Sequence, residues 1–161
     1  MSNNYPVYVV DDQPEMRDFL CELCRDRGLD CLEFEDGEQF LAGLEGLDPG
    51  CVLLDIRMPR RNGLQVQAEM ARRGRALPVI AMSGRIDVET VVDSMKLGAV
   101  DFLEKPIDHR TLINKVQQAL AAYAAKRAEA SEVEAIRLRM ANLTERELEL
   151  VRLIVSGLAN K

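Results

Sequence analysis

Along residues 5–123 five short apolar runs alternate with longer stretches whose apolar residues recur at three- and four-residue steps. The central run, Cys51-Val52-Leu53-Leu54, holds no Gly or Pro and is too short for a helix. It predicts a strand buried on both faces, of the kind found in parallel sheets covered by helices. Residues 7–10 predict the first strand, 31–34 a short second strand with alternation, 78–82 a fourth and 101–104 a fifth. Pro14 stands where a first helical turn has no use for its missing N–H, and Met16, Phe19, Leu20 and Leu23 mark the apolar side of a helix that Gly28 closes. Asp36-Gly37 opens a second helix carrying Phe40, Leu41 and Leu44, and residues 63–73, 87–97 and the stretch from 108 give three more. Strands alternating with helices of this length predict an α/β fold, a doubly wound five-stranded parallel sheet with helices on both faces.

From Ala121 the pattern changes to Ala, Glu, Lys and Arg, with no Gly or Pro before Gly157. Such a stretch has high helix propensity and little to bury, which predicts an exposed extension of the fifth helix. Ile113, Val116, Leu120 and Tyr123 form a seam that breaks at Arg127 and resumes with Val133, Ile136 and Met140, so we read a helical spacer rather than a continuous coiled coil. Thr144 and Glu147 have the spacing of a capping box for a last amphipathic helix. Gly157 is expected to stop that helix, with Ala159-Asn160-Lys161 beginning another. The expected organisation is a domain over 1–123, a helical linker over 124–142 and an incomplete all-α C-terminal domain over 143–161.

Composition narrows the function. With 47% hydrophobic and 30% charged residues the chain has the makings of a soluble core. Its formal net charge of −6 and pI near 4.9 leave no overall electrostatic footprint for nucleic acid. No apolar stretch is long enough to span a bilayer and the N-terminus lacks signal-peptide features, so a cytoplasmic location is expected. In that setting the four cysteines read as reduced thiols, and Cys21 and Cys24, although spaced C-x-x-C, as buried residues of a helix face.

The chemistry collects where strands end. Ligands of open parallel sheets bind beyond the carboxyl ends of the strands. There the first strand runs into Asp11 and Asp12, the third ends in Asp55, the fourth leads to Ser83 and the fifth to Lys105. Three carboxylates close together repel one another unless a divalent cation neutralises them, and Mg²⁺ favours carboxylate and carbonyl oxygen together with a phosphate. Ser83 and Lys105 suit the oxygens of a phosphoryl group, and one acid suits the role of nucleophile, giving an acyl phosphate.

Asp11-Asp12, Asp55 with Met58-Pro59 and Gly63, Ser83, Gly98-Ala99, and Phe102 with Lys105-Pro106 together resemble the receiver domain of bacterial response regulators, over about residues 5–123. The resemblance implies a flavodoxin-like sheet of strand order 2-1-3-4-5. It makes Asp55 the phosphoacceptor and gives Mg²⁺ to Asp11, Asp12, Asp55 and the Arg57 carbonyl. Ser83 and Lys105 would bind phosphoryl oxygens, Phe102 would switch rotamer behind Ser83, and the Lys105–Pro106 bond would be cis. Arg57 and Arg85 occupy flanking positions that in this family tune the lifetime of the acyl phosphate. The stretch from Leu143 through Glu147 to Lys161 is similar to the opening of a LuxR-type helix-turn-helix domain, as in the NarL/FixJ-like class, without the recognition helix.

The function implied is a phosphorylation-dependent transcription regulator. A sensor histidine kinase would supply the phosphoryl group, the fourth helix and fifth strand would form a homodimer, and DNA would be bound only by the complete C-terminal domain. Such a chain is no enzyme beyond promoting its own phosphorylation and dephosphorylation. A phosphohydrolase of the haloacid-dehalogenase kind would carry a D-x-D pattern after the first strand, which Asp11-Asp12-Gln13 lacks; a stand-alone receiver acting by protein contact is the other alternative. His109 reads as a solvated or capping residue, and Asp93, Lys96 and Asp101 as candidates for pairing between copies. The arginines at 57, 60, 61, 72, 73 and 75 read as local charge balance or a partner contact.

Overall fold

A computed structural model describes residues 4–159. The strands are β1 (Val7–Val10), β2 (Cys31–Phe34), β3 (Cys51–Asp55), β4 (Val79–Ser83) and β5 (Ala99–Glu104). The helices are α1 (Pro14–Arg25), α2 (Gly37–Gly43), α3 (Gly63–Arg72), α4 (Val88–Lys96), α5 (His109–Ala141) and α6 (Glu145–Ala159). All five strands are parallel, in the order β2-β1-β3-β4-β5. This is the doubly wound sheet expected from the alternation of strand and helix patterns.

Successive strand residues face opposite sides of the sheet, and the core divides accordingly. Val7, Val9, Cys51 and Leu53 pack with Leu20, Cys21 and Cys24 of α1 and with Leu112 and Val116 of α5. On the other face Tyr8, Val10, Val52 and Leu54 pack with Phe40 and Leu41 of α2 and Val66 and Met70 of α3. Every residue of β1, β3 and β4 is buried, whereas β2, at the edge, buries only Cys31 well and leaves Leu32 52% exposed. The alternation expected of β2 is therefore one-sided, because an edge strand has fewer elements to cover it. Between α3 and α4, buried Gln67 donates to the Ser94 carbonyl at 3.1 Å and accepts from the Ser94 hydroxyl at 2.9 Å. Each satisfies the other, which is what allows two polar side chains inside the fold.

The helix ends follow local chemistry. Asp36, Asn62 and Asp87 cap α2, α3 and α4 by accepting backbone N–H groups, and Asn62 with Gln65 completes a capping box. Gly63 is required by proximity. A Cβ there would lie 2.6 Å from the Asp55 carbonyl oxygen and 2.8 Å from the Ile56 Cα, and both are backbone atoms that cannot turn aside. Gly63→Ala is expected to lower stability by about 2 kcal/mol or more; urea unfolding measures it, and a loss below about half that would show that the β3–α3 loop yields easily.

The chain divides into two compact units at Tyr123. In the second, the later turns of α5 are exposed, including Val133, Ile136, Leu138 and Met140. Thr144 and Glu147 form the expected reciprocal cap of α6, with the Thr144 N–H donating to Glu147 at 2.8 Å and the Glu147 N–H to Thr144 Oγ1 at 3.3 Å. Two expectations need correction. Gly157 does not end α6, which runs through it to Ala159; a helix accommodates glycine at a cost of about 1 kcal/mol relative to alanine. The further helix expected from Ala159-Asn160-Lys161 falls largely outside the described residues. The cysteines are not all free thiols: Cys21 of α1 and Cys31 of β2 form a disulfide, because α1 brings Cys21 over β2 with the Cα atoms 5.4 Å apart. Cys24 and Cys51 remain free and buried. Among the described residues no helix is long and apolar enough to cross a membrane.

Candidate functional site

Strand register builds the site. Val10 of β1 lies opposite Leu54 of β3, so the next residues, Asp11 and Asp55, emerge side by side. Asp55 in turn pairs with Met82, which puts Ser83 one position further along β4, and Ser83 pairs with Glu104, which puts Lys105 just past the end of β5. Residues up to 94 positions apart in sequence thus meet at one edge without any long loop.

Asp11, Asp12 and Asp55 each present a carboxylate oxygen within 4.8 Å of the others. Asp11 and Asp55 are buried and Asp12 is the most solvent-facing of the three. Lys105 Nζ stands 2.9 Å from Asp11 Oδ2 and 3.5 Å from Asp55 Oδ2, one ammonium shared between two buried carboxylates. Asp11 is further held by the Gln13 N–H on its Oδ1 at 2.9 Å and by the Arg17 guanidinium on its carbonyl at 2.8 Å. The Asp55 carboxylate accepts the Arg57 N–H at 3.2 Å. Burial, and then the neighbouring Asp11, raise the Asp55 carboxyl to about 7, against the pull of Lys105 and the Arg57 N–H. The pocket holds more negative charge than its lysine neutralises.

Ser83 is fully buried at the end of β4, and its hydroxyl donates to the Arg85 carbonyl at 2.9 Å rather than to a carboxylate. The Ser83 carbonyl accepts the Lys105 N–H at 2.8 Å, joining the β4 and β5 ends beneath the pocket, and the Lys105–Pro106 bond is cis. Phe102 is half-buried on β5, opposite Ala81. Arg57 turns its guanidinium to Asp87, the cap of α4, at 3.7 Å. The other basic residues of that region are also engaged locally: Arg60 with Asp36, Arg61 with Glu38, Arg72 and Arg73 with Glu69, and Arg75 with the Leu47 carbonyl. His109 is exposed at the start of α5, its ring 5.0 Å from that of Phe19. Asp101 is held within the chain by Lys115, at 2.6 Å.

Three contacts of the site go unread in the sequence analysis. Gln13, two residues beyond Asp11, has the offset of an Asx-turn, a signal present in the sequence. Arg17 on Asp11 and Asp87 on Arg57 have no sequence signature, since both depend on where a helix start is placed against a strand end.

A buried acidic pocket with one shared lysine, at the carboxyl edge of a 2-1-3-4-5 sheet, defines a CheY-like α/β protein. The profile of the response regulator receiver domain matches residues 7–117, and the chain belongs to that family. It is 37% identical, over its whole length and 76% of the relative's, to the transcriptional regulatory protein FixJ of Azorhizobium caulinodans. Among solved structures, the response regulator StyR superposes with a TM-score of 0.84 at 28% identity, covering 96% of this chain and 78% of that one. Full-length FixJ from B. japonicum does so with a TM-score of 0.74 at 34% identity, covering 98% and 77%.

Proposed function

We propose that the chain is a phosphorylation-dependent switch for transcription in which Asp55 takes a phosphoryl group from a phosphohistidine of a sensor histidine kinase. The supporting observation is the shared ammonium: Lys105 reaches both Asp11 and Asp55, so a cation is within reach of the oxygens that a phosphoryl group on Asp55 would carry. Asp55 Oδ attacks phosphorus, the P–N bond to the donor imidazole breaks, the imidazole leaves with its electron pair, and an acyl phosphate remains on Asp55. Lys105 moves from carboxylate to phosphoryl oxygen. Ser83 turns its hydroxyl from the Arg85 carbonyl toward the same group, and Phe102 follows it.

The donor set fits Mg²⁺, with hard oxygen ligands, surplus negative charge and a carboxyl of Asp55 raised first by burial and then by Asp11. Asp11, Asp12, Asp55 and the Arg57 carbonyl would hold the ion, which when bound supplies positive charge to the carboxylates and to the transferred group. For output, α4 leaves Val88, Val92 and Met95 exposed, neighbouring β5 leaves Val100 exposed, and Ile86 is exposed just before α4. An apolar surface of this kind suits a second copy. The segment from Leu143, with its Thr144–Glu147 cap, is the start of the DNA-binding part, and DNA contact belongs to the complete C-terminal domain.

Incubation with Mg²⁺ and acetyl phosphate, read by intact mass and size-exclusion elution, tests this. One phosphoryl group is expected on the native chain and none on Asp55→Asn, with a shift toward dimer only in the former. An adduct on Asp55→Asn would move the acceptor elsewhere. An adduct without a dimer would remove α4 and β5 as the output surface.

A further inference from the structure

All four cysteines of the chain lie in one packed cluster on the α1–α5 side of the sheet. Two of them are chemically quiet. Burial pushes the Cys24 thiol up to about 11 and the Cys51 thiol up to about 12, so both stay protonated at neutral pH and are poor nucleophiles. The other two are bonded: Cys21 and Cys31 have Cα atoms 5.4 Å apart, within the range a disulfide spans without backbone movement. Their exposure as residues differs slightly. Cys21 is completely buried, whereas Cys31 retains 6% exposure and forms part of the wall of a cleft of about 570 Å³. That cleft opens at the amino ends of β1 and β2, away from the acidic pocket, and Arg25 and Asn4 also line it. Arg25 donates to the Cys31 carbonyl at 3.1 Å, which sets a guanidinium beside the sulfur-bearing residue.

We propose that Cys21 and Cys31 are a reversible thiol–disulfide site that reacts with a low-molecular-weight disulfide of the glutathione class, admitted through the cleft at Cys31. From the reduced pair, Cys31 gives up its proton and its thiolate attacks one sulfur of the small disulfide. The small S–S bond breaks, a mixed disulfide forms on Cys31, and one small thiolate leaves and takes up a proton. Cys21 then loses its proton and attacks the Cys31 sulfur, expelling the second small thiolate. Two protein thiols and one small disulfide become one protein disulfide and two small thiols, and the reverse sequence is the reduction. Arg25 suits the carboxylates that such a peptide disulfide carries. The bond ties α1, which begins beside Asp11 and Asp12, to the edge strand β2, and it joins positions ten apart in sequence. Oxidation is expected to raise the melting temperature by roughly 5–10 °C.

The test uses the whole chain, reduced, freed of reductant under anaerobic conditions and equilibrated in glutathione buffers from reducing to oxidising. Samples are acid-quenched, denatured and alkylated with N-ethylmaleimide. Intact mass is expected to show all four thiols blocked in reducing buffer and only two in oxidising buffer, with Cys21 linked to Cys31 by peptide mapping and full reversal by dithiothreitol. Complete alkylation at every ratio, or a link involving Cys24 or Cys51, would overturn the proposal. In Cys31→Ser, Cys21 is expected to stay alkylatable after denaturation and to take up no glutathione in the folded state. Glutathione on Cys21 in that variant would overturn entry at Cys31.

Discussion

Lys105→Met is expected to lose about 3 kcal/mol of stability and, with it, at least about a hundredfold in the rate of phosphorylation by acetyl phosphate. Both losses have one cause. Lys105 Nζ is the ammonium shared by the carboxylates of Asp11 and Asp55, and both of those are buried. Methionine keeps most of the volume and apolar stem but removes the charge, leaving two carboxylates facing each other away from water. Breaking one partner of a buried ionic group costs more than the pair contributes, because the remaining charge is uncompensated. Phosphorylation suffers separately, since the same ammonium is placed to meet the charge on the transferred group. Urea unfolding in chelator and adduct formation in Mg²⁺ read the two effects apart. If Lys105→Met unfolds with the native chain and is phosphorylated at its rate, the lysine does neither job.

Much of that pocket is legible in the sequence because parallel strands turn register into position. Once Val7–Val10 and Cys51–Asp55 are recognised as neighbouring buried strands, the acids that end them must lie together, and the polar residues ending β4 and β5 join them. The strands themselves are legible because full burial demands uninterrupted apolar runs, as in β3. Orientation at the strand ends is another matter. Nothing in the sequence says that the Ser83 hydroxyl turns to the Arg85 carbonyl, or that Arg57 reaches the cap of α4, because those choices depend on distances of an ångström or so between elements. The pairing of Cys21 with Cys31 is hidden for a similar reason. The C-x-x-C spacing draws attention to Cys24, whereas the partner is fixed by the packing of α1 on β2. At Gly157 a local preference misleads, since a single glycine weakens a helix without ending it.

Asp55→Asn is expected to be more stable than the native chain when metal is withheld, and the gap is expected to widen with pH. The native Asp55 carboxyl ordinarily titrates near 3.8 and is raised to about 7 in the fold, first by burial and then by Asp11. Between those values the folded state holds a proton that the unfolded state has released. The slope of stability with pH follows the protons bound by the unfolded state minus those bound by the folded state, which is negative in this window. The native chain therefore loses stability as pH rises from about 4 to about 7, and the loss is complete above that. The rise from 3.8 to about 7, at about 1.4 kcal/mol per tenfold, sets a ceiling of about 4 kcal/mol; relaxation of the pocket brings the expected difference to about 2 kcal/mol. Asparagine cannot ionise, so the difference between the two chains isolates this group from every other acid that titrates. Urea unfolding of both proteins in chelator, from acid to slightly alkaline pH, should show curves that meet at low pH and separate toward neutrality. Adding Mg²⁺ should close part of the gap by stabilising the native chain more than the variant, because a ligand stabilises in proportion to its affinity for the folded state. Parallel curves across the whole range would mean that Asp55 is ionised at ordinary cost, and that the negative charge in this pocket is not what awaits a cation.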